Sequence, residues 1–215
     1  MNTLQHMRRG SIASIPMIIG GIPFGLLFGS LASSYGLSPW FAIAMSAIVF
    51  AGSAQFVALG LIALHAPIWV IVSTTFIVNL RHLLYAADLV KFVKHLPMPI
   101  RVVMGFGLID ETYAAVRPMY EIGAADERNG HKVYFGSFLS FYVMWNVTTI
   151  LGVLSGELIP GMSEWGLEFA MVATLPNNLG LLVSAVIGVA VGYFADYSAS
   201  NKEMSEENKT QGAEK

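Results

Sequence analysis

Asp110 and Glu111 stand side by side in an otherwise apolar stretch, Gly105-Phe106-Gly107-Leu108-Ile109-Asp110-Glu111-Thr112-Tyr113. Two adjacent carboxyls cost roughly +5 to +7 kcal/mol if ionised at the centre of a membrane span. The seven Leu, Ile, Val and Phe residues of 100–116 return only about −2 to −4 kcal/mol. This stretch does not insert unaided; it needs partners, protonation or a wet cavity. Intramembrane carboxyls act by default as proton relays or as ion and substrate ligands. The plainer reading is a structural pair, in which Asp110 or Glu111 binds Arg81 or Arg117 and holds a bundle together.

A second polar group lies upstream, in Asn79-Leu80-Arg81-His82-Leu83-Leu84-Tyr85 followed by Asp88. On a helix Asn79 and His82 share one face, and Arg81, Tyr85 and Asp88 form another stripe. Ten Leu, Ile, Val and Phe residues in 68–88 supply about −3 to −6 kcal/mol, against about +2.5 to +3.5 for one central Arg. Arg81 lies about 10 Å from the end of that window at 1.5 Å per residue, which leaves snorkelling to the interface open. His82 is read equally as an interhelical hydrogen bonder and as a proton carrier. Two weaker polar candidates are Gln55, in Ala51-Gly52-Ser53-Ala54-Gln55-Phe56, and Asn146.

The elements that position these groups are membrane helices. The chain has 215 residues, 55% apolar before its 21 glycines are counted, and only 12% charged. A soluble domain carries about twice that charge. Its solvent is lipid. The net charge of −2 offers no basic face for nucleic acid. With no cysteine and five scattered histidines, the chain shows no metal-ligand spacing and implies no cofactor. Ser137 and Ser155 sit in no nucleophile turn, and adjacent carboxyls fit a two-helix aspartyl-protease site badly. The chain is therefore not read as an enzyme.

Windows long enough to cross about 30 Å of hydrocarbon fall at 12–34, 40–64, 67–88, 100–116, 133–156 and 165–197. The first, second and fifth are unambiguous by length and apolarity. In the first, Gly20, Gly21 and Pro23 predict a broken helix, and Gly52 marks a second break. Leu175-Pro176-Asn177-Asn178 interrupts the last window. The expectation is an all-α, polytopic integral membrane bundle with broken or re-entrant helices. One transmembrane domain covers 1–197, and 198–215 forms a disordered polar cytoplasmic tail. Lys and Arg in the connections place both termini in the cytoplasm of a multi-pass inner-membrane protein.

In this order and spacing, Ile22-Pro23-Phe24-Gly25-Leu26, Ala51 to Phe56, Asn79 to Tyr85 and Asp110-Glu111-Thr112-Tyr113-Ala114 resemble the AzlC family. That family comprises the large subunits of branched-chain amino-acid exporters of the YgaZ and BrnF types. The likeness runs from about residue 10 to 173. Family members usually continue through further hydrophobic sequence before a segment like Leu175 to Leu181, so roughly one helical hairpin is missing here. The resemblance implies export of valine, leucine and isoleucine, with methionine, across a bacterial cytoplasmic membrane. It also implies a small hydrophobic AzlD- or YgaH-type partner.

A secondary transporter then follows in outline. A zwitterionic substrate offers its carboxylate to Arg81 or to a helix N-terminus near Gly21 or Gly52. Its ammonium meets Asp110 or Glu111, and Phe24, Phe56 or Phe106 line an apolar pocket. One carboxyl or His82 carries a coupling proton. The alternative is a non-transporting membrane assembly subunit, or an inactive short form.

Overall fold

The computed structural model describes residues 2–126 and 128–155, all within one compact unit spanning Met1–Ser163. The Leu175–Asn178 interruption, the last window and the polar tail lie outside the described residues. The described residues form an all-α membrane bundle of nine helices: α1 Thr3–Ala13, α2 Ile15–Ser34, α3 Pro39–Val49, α4 Gly52–Ala63, α5 Ile68–Asn79, α6 Arg81–Val93, α7 Met98–Phe106, α8 Asp110–Glu121 and α9 Gly130–Ser155. Among the described residues, three stretches are long and apolar enough to cross a membrane: α2, the joined α5–α6 stretch Ile68–Val93, and α9.

Helix α9 is the spine, and α1 and α2 lie along it. Small residues permit the approach. Gly21, Gly25 and Gly29 recur every fourth residue of α2, on the face turned to α9, and all three are buried. A Cβ on Gly29 would overlap the Thr149 carbonyl, and one on Gly152 of α9 would overlap the Leu26 carbonyl. Gly10 and Gly136 serve the α1–α9 crossing in the same way, against the backbones of Val133 and Met7. Serine hydroxyls bridge the seam: Ser14 to Ser137 at 2.5 Å, Ser140 to Ser11 at 2.8 Å, and Ser11 to the Gly136 carbonyl at 3.1 Å. In lipid, where burial of apolar area drives little helix association, close packing and interhelical hydrogen bonds take over that role.

This packing corrects the expected break in the first window. Helix α2 runs unbroken through Gly20, Gly21 and Pro23. The interruption comes at Ser14, just before Pro16 in the first turn of α2, where a missing N–H costs nothing. Gly21 serves approach to Phe141 and Met144, and a Cβ on Gly20 would meet open space.

The second window does break, beside Gly52. Helix α3 ends at Phe50, whose φ of 41° is left-handed, and Ala51 is extended before α4 begins at Gly52. The Phe50 ring packs among Phe106, Phe138, Phe141 and Tyr142, so burial of an aromatic side chain offsets the backbone strain. Helices α3 and α4 have 11 and 12 residues, about 17 Å each at 1.5 Å per residue, roughly half a membrane. The fourth window breaks likewise: α7 stops at Phe106, and Gly107, Leu108 and Ile109 lead into α8. Phe138 of α9 lies against the Gly107 backbone.

Candidate functional site

Two of these breaks bring helix N-termini against the middle of a span. Arg81 begins α6 after a single irregular residue, Leu80, within the apolar stretch Ile68–Val93. It lies 12 residues or more from either end of that stretch, about 18–20 Å. Arg81 reaches both breaks. Its guanidinium donates to the Ser53 hydroxyl in the first turn of α4 and pairs at 2.5 Å with Asp110 Oδ2 in the first turn of α8. The other Asp110 oxygen accepts from Tyr85 OH at 2.7 Å. Both Asp110 oxygens are thus occupied.

The Arg81–Tyr85–Asp88 stripe faces α8 and builds a second layer there. The Tyr85 and Tyr113 rings stack with centroids 4.5 Å apart. Tyr113 OH donates to Asp88 Oδ2 at 2.9 Å, where Arg117 Nε also donates, and Lys91 Nζ bonds Asp88 Oδ1 at 2.8 Å. Arg117 further holds Glu121 at 3.1 Å. The hydrogen bond to Asp88 pushes the Arg117 pKa further up, so that this guanidinium stays charged. The two layers stitch α6 to α8 along about two turns.

Glu111 follows Asp110 in the first turn of α8, a favourable place for a carboxylate. It is half-buried and forms no ion pair among the described residues. Asn79 Oδ1 and His82 Nε2 are buried without hydrogen-bond partners beside the Arg81 turn. These are the free polar groups of the centre, whereas Asp110 is the paired one.

Gln55 stands apart, on the face of α4 turned to α9. It is 0% exposed, and its Oε1 accepts from Trp145 Nε1 at 3.1 Å. An indole N–H only donates, so Trp145 fixes which amide atom it faces and leaves Gln55 Nε2 without a partner. Asn146 donates to the Tyr142 carbonyl of its own helix at 2.9 Å and takes no part in the Arg81 centre. The three phenylalanines do not share one wall. Phe24 is exposed, Phe56 packs edge-on to Phe28, and Phe106 joins the rings of Phe50, Phe138 and Tyr142. Sequence reasoning missed Trp145, Tyr113 and the buried Thr112 hydroxyl, which has no partner. Aromatic and threonine side chains are common in apolar helices, so only their neighbours mark them. No metal-holding group of His, Asp and Glu occurs among the described residues.

The AzlC protein family matches residues 16–159, from the first turn of α2 past the end of α9. The chain belongs to the AzlC family. Inner membrane protein YgaZ of Escherichia coli is 29% identical over 145 residues, 67% of this chain and 58% of YgaZ. An uncharacterized membrane protein of Archaeoglobus fulgidus is 32% identical over 190 residues, 84% of this chain and 80% of its own length. The branched-chain amino acid transport protein AzlC of Bacillus subtilis is 27% identical over 161 residues, 74% of this chain and 61% of its own length. This AzlC-family chain thus spans less than two thirds of YgaZ and of the Bacillus protein. No solved structure matches it.

Proposed function

We propose that the chain is the large subunit of a secondary transporter that exports branched-chain amino acids, with methionine as a further substrate, across the bacterial cytoplasmic membrane. Both termini lie on the cytoplasmic side in this reading. The observation that carries it is the Arg81–Asp110 pair at mid-span, between the N-termini of two broken helices. A zwitterion presents one charge to each member of such a pair. The substrate carboxylate takes Arg81 together with the uncapped first turn of α4. The ammonium takes Asp110, and Tyr85 remains as the carboxylate's second partner. Glu111, free of ion pairs, or His82 of α6 carries the coupling proton. Substrate entry thus exchanges one internal ion pair for two external ones, which unlocks α6 from α8 at its upper layer.

A small hydrophobic AzlD-type subunit completes the assembly. Arg81 and Asp110 side chains are 30% and 36% exposed, and an ion pair opened to lipid at mid-span is costly. A second subunit over α5–α6 supplies the cover. The name of the Bacillus relative supports amino-acid transport as the class of activity.

The test is isoleucine efflux from exporter-deficient cells loaded with an isoleucine-containing dipeptide. The chain is expressed alone and beside an AzlD-type partner. Efflux that needs both polypeptides is the expected result. Absence of efflux in either case, with the chain present in the membrane, overturns the transport reading in favour of an assembly subunit or an inactive short form.

A further inference from the structure

Helix α6 has a second face. Rotated away from Arg81, Tyr85 and Asp88, its residues Leu89 and Val93 line a cavity of about 180 Å³ shared with Arg101 and Met104 of α7, with Leu108, and with Tyr134 of α9. The cavity lies toward the end of α6 that carries Lys91 and Lys94. Its walls are apolar apart from one cation. Arg101 is half-buried: its Nε is buried with no hydrogen-bond partner, and its Nη2 makes a weak, exposed contact to Met98 Sδ at 3.5 Å. Arg101 pairs with no carboxylate among the described residues. Tyr134 OH is already spent on the Met104 carbonyl at 2.5 Å, so the phenol contributes its ring and not a free hydroxyl. Gly105 completes the lining, and a Cβ there would meet nothing within 4 Å.

We infer that this cavity binds a small monocarboxylate with a short apolar tail and no amino group, the chemistry of an aliphatic 2-oxo acid. A dry cavity of about 150 Å³ takes a benzene-sized ligand, so the space here holds a tail of four to six carbons. The carboxylate satisfies the unpartnered guanidinium by charge-assisted hydrogen bonds. No acidic side chain lines the cavity, so the ammonium of an amino acid would find no carboxylate there and would face the Arg101 cation. That absence selects the deaminated acid over the zwitterion. The site does not depend on the transport reading, since it shares no residue with the Arg81 centre.

The experiment titrates 4-methyl-2-oxopentanoate into the full chain in nanodiscs of zwitterionic lipid, with leucine and 4-methylpentan-2-one as comparison ligands. Saturable binding of the oxo acid is expected, at least about tenfold tighter than either comparison ligand, because each lacks one required feature: leucine carries an unpaired ammonium and the ketone has no carboxylate. Gly105→Leu fills the cavity from open space and should abolish binding while the protein still folds. Arg101→Gln should weaken it by about tenfold or more. The proposal is overturned if the wild-type chain shows no saturable binding, if leucine binds as tightly, or if Gly105→Leu leaves affinity unchanged. It is also overturned, in favour of an acyl-chain site, if the cavity retains co-purified lipid that only Gly105→Leu releases and the oxo acid never displaces.

Discussion

Asp110→Asn removes the negative partner of the mid-span ion pair and leaves Arg81 facing Ser53 alone. Breaking a fully buried pair costs about 3–5 kcal/mol, whereas an exposed pair contributes about 0.2–1 kcal/mol. With side chains 30% and 36% exposed, the pair falls between these limits, at about 1.5–3 kcal/mol for the single substitution. Arg81→Gln should cost a similar amount, because it strands Asp110 with only the Tyr85 hydrogen bond. The double variant exchanges both charges for amides, and the two losses should overlap by about 1–2 kcal/mol. Unfolding of the full chain by SDS in mixed micelles, run as a double-mutant cycle, measures that overlap. Additive losses, with coupling under about 0.5 kcal/mol, would refute the pairing. Efflux adds the functional half. If Asp110 holds the substrate ammonium, the double variant regains stability and stays inactive; export at the wild-type rate by Asp110→Asn would sink the proposed role.

Two further predictions concern packing. Gly29→Ala puts a methyl into the Thr149 carbonyl and should destabilise the chain by about 1–3 kcal/mol, whereas Gly20→Ala meets open space and should be neutral or stabilising by up to about 1 kcal/mol. Thermal melts in detergent that rank the two alike would contradict the α2–α9 seam. Trp145→Phe strips the donor from buried Gln55 and should cost about 1–3 kcal/mol, with much of it recovered in a Trp145→Phe, Gln55→Leu pair. A double variant no more stable than Trp145→Phe alone would show that the indole acts through its bulk.

Composition alone makes this a membrane protein, because insertion energy is close to a sum over residues and needs no knowledge of neighbours. The same additivity marks Arg81, Asp110 and Glu111 as costly at depth before any fold is known. Family motifs are equally local, since they are fixed residues at fixed spacings. Where helices break is another matter. Gly20, Gly21 and Pro23 carry every local signal for a break, yet α2 passes through them, because its glycine face closes on α9. The break marked at Gly52 starts two residues earlier, at Phe50, which carries no such signal, yet its left-handed backbone ends α3, held by rings contributed from α7 and α9. Pairing is likewise tertiary. Adjacent in sequence, Asp110 and Glu111 look equivalent; in space one has Arg81 and Tyr85 and the other no ion pair. Burial cost is written residue by residue into the chain, but backbone breaks and ion pairs are settled by side chains dozens of positions away, which only packing brings within reach.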